Sequence, residues 1–112
     1  MKGRKNNRWE DMDKGNLELE QLIRHFEVYN RSEGKSPYTV KWYNEALNHF
    51  LRWLTSGNRS TRLREIGEEQ VRDFVLYLYE KKVRGKSLSK NTVANRVRSI
   101  RGFFSWLADE GY

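Results

Sequence analysis

The stretch Lys86–Leu107, KSLSKNTVANRVRSIRGFFSWL, decides the fold. Val93, Val97, Ile100, Phe104 and Leu107 recur at steps of four and three. That spacing gathers them into one apolar stripe on an α-helix. At about 100° per residue, Asn91, Asn95, Arg98 and Gly102 fall on the opposite face. Ser89 stands at the N-cap, its oxygen ready for the first free backbone N–H groups. Between Arg84 and Arg101 there are six Lys or Arg and no acid. One side therefore reads as core. The other presents amides and guanidinium groups, which suit phosphates and base edges.

Outward from this helix the same period repeats. Leu17 to Asn30 reads as a first helix, with Leu19, Leu22, Ile23, Phe26 and either Tyr29 or Val28 inward. Gly34 is its expected left-handed stop. Ser36 caps a second helix with Pro37 at its first position, where a missing N–H costs nothing. Val40, Tyr43, Leu47, Phe50, Leu51 and Leu54 face inward there. Tyr38, Lys41, Trp42, Glu45, His49 and Arg52 project on the other side. Gly57 and Asn58 break the pattern, and residues 55–64, TSGNRSTRLR, form a basic loop. A third helix starts at Glu65 or Gly67, with Glu68 and Glu69 favourable to the helix dipole. Val71, Phe74, Val75 and Leu78 make its stripe. Val83–Leu88 reads as a short connector, and Gly111 as the stop of the last helix. The expectation is an all-α, compact bundle of four helices near 17–31, 36–56, 67–83 and 89–109, without strands. Phe26, Leu47, Phe50, Leu51, Phe74, Leu78, Val97, Ile100 and Phe104 should form the core.

Composition narrows the function. The chain has 112 residues, enough for one core. A net charge of +7 makes nucleic acid the first partner to consider and an anionic membrane the second. With no Cys, disulfide scaffolds and thiolate metal sites are excluded. Two histidines make a zinc site a poor fit as well. Residues 1–16 are polar and have no apolar segment of a signal peptide. They read as a flexible basic N-terminal arm, either idle or settling on DNA phosphates. No apolar run approaches the about 20 residues needed to span a bilayer, so the expected location is the cytoplasm.

Charge also alternates along the chain. Residues 17–33 carry a net −2, 34–64 a net +5, 65–83 a net −2 and 84–112 a net +4. The second and fourth helical segments are basic, the first and third acidic. If the second and fourth share a face, that face is strongly cationic; the bland alternative is chance clustering on a solvated surface.

A resemblance joins these observations. Gly34-Lys35-Ser36 leads into Thr39-Val40 and Tyr43, then Leu47, Phe50 and Trp53-Leu54. Ile66 follows, with Val71-Arg72-Asp73-Phe74-Val75. Last come Ser87-Leu88-Ser89, Asn91-Thr92-Val93, Arg98 and Phe103-Phe104-Ser105-Trp106-Leu107. In this order and spacing, residues 17–112 resemble the N-terminal core-binding, SAM-like domain of tyrosine recombinases, the group of phage and transposon integrases and Xer-type enzymes. The resemblance implies half of a C-shaped clamp on double-stranded DNA, with the second and fourth helices at the major groove. It also implies sequence-specific binding in site-specific recombination and integration. Carried over by position, the DNA-binding residues are Tyr38, Thr39, Lys41 and Trp42, then Lys90, Asn91, Asn95 and Arg98, with Arg96 and Arg101 nearby. Trp42 reads equally well as a half-buried packing residue, and Thr92 as helix-start backbone bonding.

The same resemblance implies that chemistry resides in a separate catalytic domain of the parent protein, absent from this chain, with sister recombinase subunits as partners on DNA. The isolated domain is expected to be a monomer without cofactor or enzymatic activity. His49-Phe50-Leu51-Arg52 matches the family's His-x-x-Arg string, but lies mid-helix without partners and reads as coincidence. Gly85-Lys86-Ser87 lacks the first Gly and the preceding strand of a phosphate loop. The rival functions are a helical protein–protein interaction module and a stand-alone DNA-binding regulator.

Overall fold

The computed structural model describes residues 17–112; the expected arm at 1–16 lies outside them. Four helices follow in order: α1 (Leu19–Ser32), α2 (Pro37–Ser56), α3 (Glu68–Glu80) and α4 (Lys90–Asp109). A 3₁₀ turn, Leu63–Glu65, precedes α3. The all-helical expectation holds except at the connector. There Lys82–Val83 (β1) and Lys86–Ser87 (β2) pair antiparallel, Lys82 opposite Ser87 and Val83 opposite Lys86. The two residues between them, Arg84 and Gly85, both have positive φ, 54° and 79°. That is the twist a two-residue hairpin turn needs. It also explains why α3 stops at Glu80 rather than running on to residue 82 or 83.

Local chemistry sets the helix ends. Ser36 Oγ accepts from the Thr39 N–H at 3.1 Å, and Ser89 Oγ accepts from the Thr92 N–H at 3.0 Å. Thr92 thus takes part in helix-start bonding. At the far end of α1, Gly34 turns to φ 78°. Its N–H reaches Arg31 O, and the next N–H, from Lys35, reaches Asn30 O, each at 3.1 Å. This closes the last free carbonyls. Asn58, at φ 56°, performs the same closure for α2.

Helix α4 touches each of the other three, as α2 does through Tyr43, Phe50 and Trp53. Phe103 of α4 meets Phe26 of α1, with ring centroids 5.3 Å apart. Phe104 meets Phe50 of α2 at 6.4 Å, and Arg101 reaches Glu68 of α3. The continuous core contains Leu22, Phe26, Leu47, Phe50, Phe74, Leu78, Ile100 and Phe103. Phe104, Val97 and Leu51, expected inside, are half-buried, whereas Phe103 is fully buried. The reason is the neighbour on each flank. Phe26 and Trp106 close over the Phe103 side, and the Phe104 side opens toward Arg101 and the start of α3. On α1, Tyr29 rather than Val28 turns inward; Val28 is 66% exposed. The C-terminal Tyr112 folds back so that its hydroxyl lies 3.4 Å from His25 Nδ1. Burial and then Glu110 push its pKa up to about 12.

Candidate nucleic-acid interface

Two basic helices lie side by side. Gly102 stands against Tyr43, where an added Cβ would be 3.6 Å from Cε1, and His49 stands beside Arg96. The two helices α2 and α4 therefore run antiparallel. Gly102 thus faces α2, not the solvent side on which its spacing put it. Between the helices runs a groove of about 330 Å³, lined by Trp42, Glu45 and His49 from α2 and by Thr92, Asn95 and Arg96 from α4.

The expected DNA-binding residues take distinct places. Trp42, Asn95 and Arg96 meet in the groove. Tyr38 and Trp42 pack with tilted rings at its rim, centroids 5.6 Å apart and planes at 39°. Both are exposed, 67% and 44%, so Trp42 is not a core residue. Arg98 is exposed and donates to Asn95 Oδ1 at 3.1 Å. Lys90 and Asn91 stand exposed at the start of α4. Lys41 is exposed on the adjoining flank of α2, across Glu45 from the groove and beside Arg31 and Lys35. Thr39 is drawn into the cap, its Oγ1 3.1 Å from Ser36 Oγ. Arg101 does not join the others: its guanidinium pairs with Glu68 at 3.0 Å, toward α3.

Where α2 ends, the groove opens into a second recess of about 460 Å³ that collects Arg52, Arg59, Lys81 and Arg96 around His49. Arg52 donates from Nη2 to His49 Nδ1 at 3.1 Å. Arginine cannot accept, so this contact needs a neutral ring with its proton on Nε2. Burial, and then the charges of Arg96, Arg52 and Lys81, hold the His49 pKa below its ordinary 6.5, against a smaller opposing effect of Glu45. The His-x-x-Arg string, read from sequence as partnerless, thus has partners. Arg59 lies 3.9 Å above the Trp53 ring.

The sequence profile of the phage integrase N-terminal SAM-like domain matches residues 22–111. The chain belongs to that family. Among similar curated proteins, tyrosine recombinase XerC of Oceanobacillus iheyensis is 34% identical over 85% of this chain and 30% of its own length. Tyrosine recombinase XerD of Shewanella oneidensis is 32% identical over 68% of this chain and 23% of its own. XerC of a Roseiflexus species is 26% identical over 86% and 28%. The chain thus spans under a third of the length of each. The match falls on the N-terminal SAM-like part of tyrosine recombinases, not on their catalytic domain. No solved structure gives a significant match.

Within this integrase domain, no group of His, Asp or Glu among the described residues could hold a metal ion. No helix among them is long and apolar enough to cross a membrane. The sequence reading missed Arg52, Arg59 and Lys81 as members of a charged cluster. Their only sequence signal is the i, i+3 spacing of His49 and Arg52; the rest comes from three separate segments.

Proposed function

We propose that this domain binds duplex DNA along the α2–α4 face, as the DNA-clamping N-terminal part of a site-specific tyrosine recombinase. One observation carries the reading: the adjacent antiparallel helices α2 and α4 carry a net +1 and +3, with the basic 57–64 loop following α2, while α1 is neutral and α3 carries a net −3. Lys41, Lys90, Arg96 and Arg98 contribute phosphate contacts. Asn91, Asn95 and Arg98 offer amide and guanidinium groups to base edges. The Tyr38–Trp42 pair offers an exposed aromatic surface beside them. Arg101 is committed to Glu68 and plays a lesser part. Membership of the family supports a role in recombination, with a catalytic domain of the parent protein and further recombinase copies as partners.

The test is a fluorescence-anisotropy titration of duplex DNA across a salt series. Each phosphate contact releases condensed counterions, so about four contacts give a slope of about −3 to −4 in log affinity against log salt. Lys41→Gln should weaken all sequences alike and flatten the slope by about one. Asn95→Ala should relax sequence preference, by about 1–3 kcal/mol if Asn95 pairs bidentately with a base. Arg24, paired with Glu20 on α1, is the control. Binding that ignores salt, or that Arg24→Gln weakens as much as Lys41→Gln, would refute the reading.

A helical protein-interaction module is the second reading. Leu76 and Tyr79 are each 59% exposed on α3, and Val83 is 48% exposed on the hairpin. Association through that patch would survive high salt.

A further inference from the structure

The recess at the end of α2 has a composition that structure alone does not require. Arg52, Arg59, Lys81 and Arg96 line it, and no Asp or Glu does. Among the described residues, the ion pairs lie elsewhere: Arg24–Glu20, Arg31–Glu27 and Arg101–Glu68. Three of the four cations are instead placed by neutral groups. Arg59 rests on the Trp53 ring, and its Nη1 lies so close over Gly57 that a Cβ there would stand 1.9 Å away. Arg52 is held by His49, and Lys81 sits over the Tyr77 ring at 5.7 Å. Arg96 is half-buried, and its Nη1 is buried without an acceptor. Gathering like charges around a void and leaving a buried guanidinium nitrogen unpaired both cost free energy. An anion in the void would offset both costs.

We propose that this recess is a seat for one phosphate group, with Arg96 at its floor and Arg52, Arg59 and Lys81 around its rim. Guanidinium forks match the oxygens of a phosphate, and three arginines supply that geometry. Arg96 and His49 line both this recess and the α2–α4 groove, so a strand following the groove passes over the seat. The phosphate is then a DNA phosphodiester; free inorganic phosphate has the same chemistry, and the test separates the two. The DNA source rests on the function proposed above, whereas the seat itself does not.

His49 links the seat to pH. It is faced by Arg52 and Glu45 from α2, Arg96 from α4 and Lys81 beyond α3. Without an anion, burial and then three nearby cations oppose its protonation. A bound phosphate offsets part of that field and draws Arg52 from His49 to its own oxygens, so binding favours uptake of a proton by the ring. Affinity for DNA therefore rises as pH falls through the range in which His49 takes up its proton.

The experiment follows the His49 ring by NMR in the full 112-residue chain, with His25 as internal reference. One arm adds inorganic phosphate at constant ionic strength, and the other adds duplex DNA. Phosphate should shift His49 saturably where chloride does not, and Arg96→Gln should weaken this at least tenfold. Circular dichroism checks that the variants fold. Should Arg96→Gln fail to fold, the exposed Arg52→Gln and Gly57→Ala, which displaces Arg59, carry the same test. Against DNA, Arg52→Gln or Arg96→Gln should flatten the salt slope by about one. His49→Gln should abolish the rise in affinity between pH 7.5 and 5.5. The seat is overturned if neither phosphate nor DNA moves His49. It is also overturned if DNA binds with a steep salt slope that the recess variants leave unchanged; the DNA-binding face would then stand. If phosphate moves His49 but DNA does not bind, the seat stands and the DNA reading falls.

Discussion

Adjacent residues in this chain differ in consequence. Phe103 is fully buried, touching Phe26, Phe104 and Trp106, while Phe104 is half-buried at an edge. Phe103→Ala should cost about 3–5 kcal/mol, and Phe104→Ala distinctly less. Urea denaturation of both variants measures this, and equal losses would contradict the burial order. His49 gives a pH dependence. Burial and then Arg96 hold its folded pKa below the unfolded value of 6.5. On acidification the unfolded chain takes up the proton first, so this stability is fully present above about pH 6.5 and declines as pH falls toward the folded value. Comparing His49→Gln with the parent chain from pH 7.5 to 5.5 isolates the effect. The variant should lose less stability over that range.

At the scale of elements, the helix ends are set by single side chains. Ser36 and Ser89 cap α2 and α4 in the same geometry, with ψ near 151° and 152°. Replacing either by Ala should cost about 1 kcal/mol, seen as a lowered midpoint in thermal unfolding. Two glycines should respond in opposite directions. Gly34 has φ 78° with open space around it, so Gly34→Ala pays only backbone strain, about 1–2 kcal/mol. Gly102 is inside α4, and its added Cβ would make ordinary contact with Tyr43. Gly102→Ala should therefore stabilise by up to about 1 kcal/mol. The same unfolding curves report both changes, and a stabilising Gly34→Ala would overturn the account of the α1 terminus.

Over the whole molecule, one core joins all four helices. Trp53 reports on the α2–α3 side through Phe74, and Trp106 on the α1–α4 side through Phe26. A continuous core should unfold in one step, so tryptophan fluorescence and far-ultraviolet circular dichroism should trace coincident transitions. Separated midpoints would mean that α3 unfolds apart from the rest. Much of this plan is local and legible in the chain itself. Helix period, Ser and Pro at the starts, Gly34 and Gly111 at the stops and the alternation of charge all act within a few residues. They predict four helices and which two are basic. A 3.6-residue period selects a face but not which flank of it a neighbour covers, so the period put Phe104 inside while α1 closed over Phe103 instead. The hairpin depended on two positive-φ residues inside a stretch too short to show a strand period. Arg101 went to Glu68, and Arg52, Arg59, Lys81 and Arg96 came together around His49, because packing brings distant segments within reach. Those placements arise from tertiary contact, where charge and burial act across space rather than along the chain.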